Sequence, residues 1–154
     1  MSRTPKPKRP PTSPSRGLTA HDYEVLAEFR HLLTLFLAFS ERAAHEAGLA
    51  PRQHQALLAI KGFPGNAQPT VGDLAERLGV RHHSAVGLVD RLVSNGYLVR
   101  LVDATDRRRA VLSLTARSEE ILSALSAVHR EELRRIAPLL KPLLSQFELP
   151  DQHA

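Results

Sequence analysis

The segment 70–96 constrains the fold of this 154-residue chain more than any other stretch. Thr70 and Asp73 have the spacing of a helix capping box, with Asp in place of the usual Glu or Gln, and a glycine follows the predicted helix. After a three-residue turn at 79–81, apolar residues at helical spacing predict a second helix over about 82–95, which an Asn-Gly pair ends. Two helices joined by a short turn with glycine make a helix-turn-helix.

Two short β-prone runs, YLVRLV and AVLSLT, follow the second helix and predict a β-hairpin. Residues 103–106 supply turn chemistry between the runs, and Thr115 is a suitable cap for a further helix. A helix-turn-helix followed by a hairpin is a winged helix. The hairpin also contains three consecutive arginines, Arg107, Arg108 and Arg109, which repel one another. They indicate a polyanionic partner, unless they pair with the two aspartates of the turn.

Basic residues are concentrated in two parts of the chain. Residues 1–17 contain five of the 21 basic residues, no acid and five of the eleven prolines, so this segment is predicted to be disordered. It is either a basic arm that follows DNA phosphates or a tail that only adds solubility. The remaining 16 basic residues balance the 16 acidic ones, but residues 77–109 carry seven arginines against three aspartates. A basic stripe on a neutral body is the charge pattern of a nucleic-acid surface.

Long helices are predicted on both sides of the winged helix. The first is predicted to begin with Thr19 as its cap, with an acid in the first turn, and to end near Gly48. Its run LLTLFLAF at 32–39 is apolar on every face. A helix that is apolar all round must be buried all round, which in so small a chain requires a partner subunit. The last helix is predicted to begin near Ala116.

Two prolines interrupt the last helix. Pro138 and Pro142 predict either a kink or a separate short helix over 139–147. The predicted fold class is mainly α with a small β-hairpin: a winged helix-turn-helix flanked by N- and C-terminal dimerisation helices. The predicted boundaries are 1–17 for the tail, 18–48 for the first dimerisation helix, 49–115 for the winged helix-turn-helix and 116–154 for the C-terminal dimerisation helices.

The sequence LAERLGV…SAVGLVDRLVSNGYLVR…DATDRRRAVLSLT resembles the MarR (multiple antibiotic resistance regulator) family of transcription factors. The wing pattern D-P-x-D-R-R-x-x-x-L-x-L-T of that family is matched by Asp103, Asp106, Arg107, Arg108, Leu112, Leu114 and Thr115. The resemblance implies a homodimer whose first and last helices interlock. We expect a regulator of transcription that acts as a repressor; the position of the operator relative to a promoter decides between repression and activation. The resemblance also implies a small effector, often aromatic or phenolic, that binds between the dimerisation helices and the DNA-binding part and lowers operator affinity.

The expected partner is double-stranded DNA with a pseudo-palindromic operator. The second helix of a helix-turn-helix reads the major groove with its N-terminal residues, which here are Arg81, His82, His83 and Ser84. From the wing, we expect Arg108 in the minor groove, Arg107 on phosphate or paired with a nearby acid, and Arg109 at the DNA as well. Arg91 completes the predicted DNA-binding set. The alternative for Asp90 and Arg91 is an intrasubunit ion pair that braces the helix to the wing.

One departure from the family leaves other functions open. The family often has a polar residue and then Arg where this chain has Val86 and Gly87, which shifts base reading to residues 82–84. A winged helix used only for protein contacts is therefore one alternative. A metal-responsive regulator is another, because the chain has eight histidines and because His129 and Glu132 have i, i+3 spacing.

Several other classes are excluded by what the sequence lacks. Without cysteine there is no disulfide, no cysteine–zinc site and no thiol redox sensor. Without a glycine-rich phosphate loop, a nucleophile elbow or paired carboxylates, no enzyme is expected, and neither is a cofactor or a specific metal. The longest apolar run, 32–39, is too short to span a bilayer, and no apolar signal core follows the basic N-terminus. We therefore expect a cytoplasmic protein without membrane association.

Overall fold

The computed structural model describes residues 17–147, so the predicted tail and the last residues, 148–154, lie almost wholly outside the described part. Within residues 17–147, five α-helices, one short 3-10 turn and one β-hairpin follow each other. In order they are α1 (Ala20–Glu46), α2 (Pro51–Lys61), the 3-10 turn (Pro64–Asn66), α3 (Val71–Leu78), α4 (His82–Ser94), β1 (Leu98–Val102), β2 (Ala110–Leu114) and α5 (Ala116–Ser145). The predicted mainly α fold with a small β-hairpin is confirmed.

Three of the helices begin at a threonine cap, as predicted. Thr19, Thr70 and Thr115 each accept a hydrogen bond from the backbone N–H three residues later, at the start of α1, α3 and α5. In each case the side-chain oxygen at that later position accepts a hydrogen bond from the backbone N–H of the threonine, which completes a capping box. Polar residues at these positions therefore fix where the helices begin.

The winged helix forms around one apolar core. α2, α3 and α4 pack together, and β1 pairs antiparallel with β2 in a register that sets Arg100 opposite Leu112. β2 is also held to the loop before α3, because the N–H of Leu112 donates to the carbonyl of Pro69 over 2.8 Å. The largest fully buried apolar side chains are Leu49, Leu57, Leu74, Leu92, Leu98, Leu112 and Val89.

The last helix differs from one of its two predictions. α5 is continuous from Ala116 to Ser145 with Pro138 and Pro142 inside it, so the separate short helix over 139–147 is wrong. Both prolines are exposed, and the carbonyls that lose an N–H partner can therefore bond to water. Ile136, which is buried, and the half-buried residues after it keep this part of the helix packed.

α1 and α5 pack on each other but leave much apolar surface uncovered. The predicted all-round burial of 32–39 is not reached within one chain, since only Leu32 in that run is buried. The exposed large apolar side chains of these two helices are Tyr23, Leu26, Leu33, Leu35, Leu37, Val128, Leu133, Leu139 and Leu144.

Candidate nucleic-acid interface

The turn between α3 and α4 presents the first residues of α4 to solvent. Gly79 ends α3 in the left-handed conformation, with φ 63°, which a residue without Cβ adopts at no steric cost. α4 then buries Ala85, Leu88, Val89 and Leu92 against the core. Because these apolar residues fix the rotation of the helix, its opposite face is exposed.

The predicted base-reading residues share this exposed N-terminal turn. Arg81 is the N-cap of α4, and its side chain makes no capping hydrogen bond. His82, His83 and Ser84 follow in the first turn, and all four residues are exposed. One turn further along, Val86 and Gly87 are half-buried, so the polar chemistry of this helix is concentrated at its start.

An ion pair joins α4 to the wing. The Asp90 carboxylate accepts a hydrogen bond from the Arg100 guanidinium on β1. The alternative predicted for Asp90 and Arg91, a brace between helix and wing, is thus realised through Asp90 and Arg100. Arg91 is exposed and makes no ion pair with the residues that the structure describes. Sequence reasoning missed Arg100, since no local spacing indicates a contact between a helix and a strand.

The tip of the wing is a turn built on Asp103. One carboxylate oxygen of Asp103 accepts bonds from the backbone N–H and the hydroxyl of Thr105, each over 2.7 Å, and from the N–H of Asp106 over 3.1 Å. The hydrogen bonds from Thr105, then that from Asp106, lower the pKa of the Asp103 carboxyl, and nearby Arg109 acts in the same direction. The turn is therefore fixed by an ionised carboxylate.

The three consecutive arginines have different surroundings. The guanidinium of Arg109 lies 3.9 Å from the Asp103 carboxylate and 4.0 Å from that of Asp73 in the first turn of α3. The backbone N–H of Arg108 donates to Asp106 over 3.0 Å, but the guanidinium groups of Arg107 and Arg108 form no ion pair within residues 17–147. Pairing with the turn aspartates thus holds for Arg109 alone, and two exposed cations remain at the tip.

The fold and motifs of this region match a known family. The sequence model of a protein family, described as MarR family, matches residues 47–109, from just before α2 to the end of the wing loop. Over residues 47–109 the chain is therefore similar to the MarR family.

Relatives of known sequence or structure agree with this assignment. The HTH-type transcriptional regulator YcgE of Bacillus subtilis (strain 168), itself uncharacterized, is 38% identical over 95 residues, which are 60% of this chain and 59% of YcgE. The chain thus spans about three fifths of that curated relative. YcgE is named as a regulator of transcription and not as an enzyme, in agreement with the expectation from the sequence.

Two solved structures share the architecture. The transcriptional regulator Tm0710 from Thermotoga maritima is 27% identical, with a TM-score of 0.59 over 82% of this chain and 87% of that one. The S. aureus MepR–DNA complex is 20% identical, with a TM-score of 0.63 over 81% of this chain and 90% of that one. The expected MarR-type winged helix with flanking helices is therefore confirmed as a fold.

The MarR-type winged helix meets the flanking helices at a pair of histidines. His54 on α2 is buried, and its ring centroid lies 4.9 Å from that of His129 on α5. Phe36 and Phe39 of α1 approach His129 edge-on, at 6.0 and 5.6 Å between centroids. Burial, and then the proximity of His129, lower the pKa of His54. The surroundings of His54, between the two parts of the chain, therefore favour its neutral form.

The residues considered for a metal are engaged in other contacts. One ring nitrogen of His129 lies 2.7 Å from the carbonyl oxygen of Leu125 and the other 2.7 Å from the hydroxyl of Ser40. Glu132 accepts two hydrogen bonds from Arg135, which lower the pKa of its carboxyl. In the described part of the chain, no group of three or more His, Cys, Asp or Glu side chains is arranged to hold a metal ion.

Among residues 17–147, no helix has both the length and the apolar character needed to cross a membrane.

Proposed function

We propose that this chain is a homodimeric, sequence-specific DNA-binding regulator of transcription that acts as a repressor. The observation that carries the proposal is the pair of exposed guanidinium groups at the wing tip, Arg107 and Arg108, which have no carboxylate partner within residues 17–147. They lie on a turn that Asp103 fixes, beside a helix whose first turn is polar and exposed. Such a rigid cationic tip suits the negative potential of a narrow minor groove.

The proposed reading element is α4. Its exposed first turn carries Arg81, His82, His83 and Ser84, and an α-helix of 10–12 Å diameter fits a major groove about 12 Å wide. The guanidinium, imidazole and hydroxyl groups offer donors and acceptors to base edges and to phosphates. Because Val86 and Gly87 are half-buried and carry no polar side chain, we assign base reading to this first turn.

The wing arginines receive separate roles in the proposal. Arg108 enters the minor groove and Arg107 contacts a phosphate. Arg109, predicted from the sequence to lie at the DNA, is half exposed but is directed towards Asp73 and Asp103. Its main role is then to hold the wing against α3, with phosphate as a second contact.

The homodimer is supported by the uncovered apolar side chains of α1 and α5. Leu35 and Leu37 on α1 and Leu133 and Leu139 on α5 are each about half exposed in the single chain. Exposed apolar surface of this extent marks an interaction site in a soluble protein. A two-fold dimer would bring two α4 helices to one face, which predicts a pseudo-palindromic operator with half-sites about 10 bp apart.

Release by a small aromatic or phenolic ligand completes the proposal. This part rests on the likeness to the MarR family and assigns no pocket residues. It is supported by the aromatic and imidazole rings of Phe36, Phe39, His54 and His129, which meet where the flanking helices join the winged helix. A ligand that separated these rings would change the position of α2 relative to α1 and α5.

Selection from a random duplex library tests the proposal. The full chain is incubated with random 30-bp duplexes at about 150 mM salt, and bound duplexes are recovered and sequenced over successive rounds. We expect enrichment of a pseudo-palindrome with half-site centres about 10 bp apart. If no sequence is enriched, or if only single half-sites are, sequence-specific binding by a dimer is contradicted, and a winged helix used for protein contacts becomes the better account.

A further inference from the structure

Several exposed arginines of the winged helix form no ion pair within residues 17–147, and two of them lie beside α4. Arg100 pairs with Asp90, and Arg109 lies near Asp73 and Asp103. Arg52 and Arg91 are exposed and form no ion pair with any residue between 17 and 147. The positive charges of Arg52 and Arg91 are therefore not balanced by a carboxylate of the described residues, and they lie beside the helix proposed to read DNA.

Arg52 and Arg91 line the same cleft. The cleft has a volume of about 200 Å³, and its lining also includes Val80, Ser84 and Leu88. Arg52 belongs to the first turn of α2, whereas Arg91 lies near the end of α4, so the sequence separates them by almost 40 positions. The cleft thus combines two guanidinium groups and one hydroxyl with an apolar floor, and no carboxylate lines it.

The cleft lies on the flank of α4 away from the side chain that holds the wing. Ser84, Leu88 and Arg91 are spaced by four and three residues, so they share one side of the helix. Asp90, which binds Arg100 of the wing, is rotated from Arg91 by about 100° around the helix axis. α4 is therefore bordered by the wing on one side and by two unpaired arginines on another.

We propose that Arg52 and Arg91 together bind one phosphate of the DNA strand that borders the major groove on the flank of α4 away from Asp90. This inference rests on the proposed function. A helix in the major groove nearly fills its width, so the sugar-phosphate backbones on both sides come within reach of flanking side chains. Two guanidinium forks and a hydroxyl supply charge-assisted donors to the phosphate oxygens, and the absence of a carboxylate in the lining avoids repulsion.

The test measures duplex binding of the full chain over a range of salt concentrations. The probes are a duplex enriched by selection from the random library and a scrambled duplex of equal length. For Arg52→Ala we expect roughly tenfold weaker binding to both duplexes, and a slope of log affinity against log salt that is smaller by about one. Arg52→Lys keeps a cation at the site and is expected to restore most of the salt slope, though not the bidentate geometry.

A matched control comes from the other end of the same helix. Lys61→Ala removes the same charge from α2, but Lys61 lies beside Glu119, with its ammonium 2.8 Å from the carboxylate. Binding by this variant is expected to be close to that of the wild type. A general effect of net charge would weaken both variants equally and would overturn the assignment.

The double variant tests whether the two arginines share one phosphate. If they do, Arg52→Ala combined with Arg91→Ala loses less affinity than the product of the two single losses. Three results would each refute phosphate binding by the cleft without contradicting the proposed regulator. They are wild-type affinity and salt slope in Arg52→Ala, losses of affinity that multiply in the double variant, and a loss of affinity for the enriched duplex alone. If the wild type binds neither duplex, the proposed function fails, and the cleft assignment fails with it. Circular dichroism of each variant confirms that it is folded.

Discussion

At the scale of single residues, the neighbours of each arginine decide its role. Arg107, Arg108 and Arg109 are chemically identical and adjacent, yet only Arg109 approaches carboxylates, and one of these belongs to Asp73 in α3. The sequence predicts a cationic wing because the turn residues and the arginines are local. It does not predict which arginine approaches a carboxylate of the protein, because that contact depends on Asp73, 36 positions earlier.

His54 makes the stability of the protein depend on pH. Because burial and His129 lower its pKa in the folded state, the unfolded chain takes up a proton at higher pH than the folded chain does. The contribution of His54 is thus fully present above the ordinary histidine pKa of about 6.5 and is lost as pH falls towards the folded value. We predict that the free energy of unfolding, measured by urea denaturation, decreases from pH 7 to pH 5.

The variant His54→Gln separates this contribution from those of the other histidines. Its absolute stability is expected to be lower, but the decrease in unfolding free energy between pH 7 and pH 5 should be smaller than in the wild type. An equal decrease in both proteins would show that His54 does not carry the pH dependence.

At the scale of elements, local signals predicted where helices begin better than how far they continue. The threonine caps at 19, 70 and 115 were predicted correctly, because capping depends on residues three positions apart. The separate short helix over 139–147, one of the two outcomes predicted for the end of α5, is wrong, since the prolines are a local signal, whereas the packing of Ile136 and the residues after it is a tertiary one. The junction of His54 and His129 escaped sequence reasoning for the same reason.

The capping box of α3 is expected to contribute measurably to stability. Thr70→Ala removes the hydroxyl that accepts from the N–H of Asp73 and should cost about 1 kcal/mol of unfolding free energy. Ser123→Ala, at an exposed position inside α5, also removes a hydroxyl but should be neutral or slightly stabilising. Urea denaturation of both variants at pH 7 measures the difference. Equal stabilities would show that the box does not stabilise α3.

At the scale of the whole molecule, one chain is an incomplete structure for the proposed function. Its winged helix has a packed core, but α1 and α5 expose leucines over much of their length. The sequence indicated this incompleteness through a helix that is apolar on every face. It also predicted the fold class and the polar first turn of α4, because both follow from periodicity and spacing. The Arg52–Arg91 cleft was not predictable, since only the packing of α2 against α4 creates it.

The folded wing, and not general positive charge, is proposed to bind a specific DNA sequence. The most direct measurement is the affinity for the enriched duplex at about 150 mM salt, against scrambled competitor, for wild type, Arg108→Ala and a chain lacking residues 1–17. We predict that Arg108→Ala weakens specific binding roughly tenfold or more, whereas removal of the basic tail leaves the preference for the enriched duplex. If Arg108→Ala binds like the wild type and only the tail deletion weakens binding, the interaction is non-specific phosphate attraction and the proposed role of the wing is contradicted.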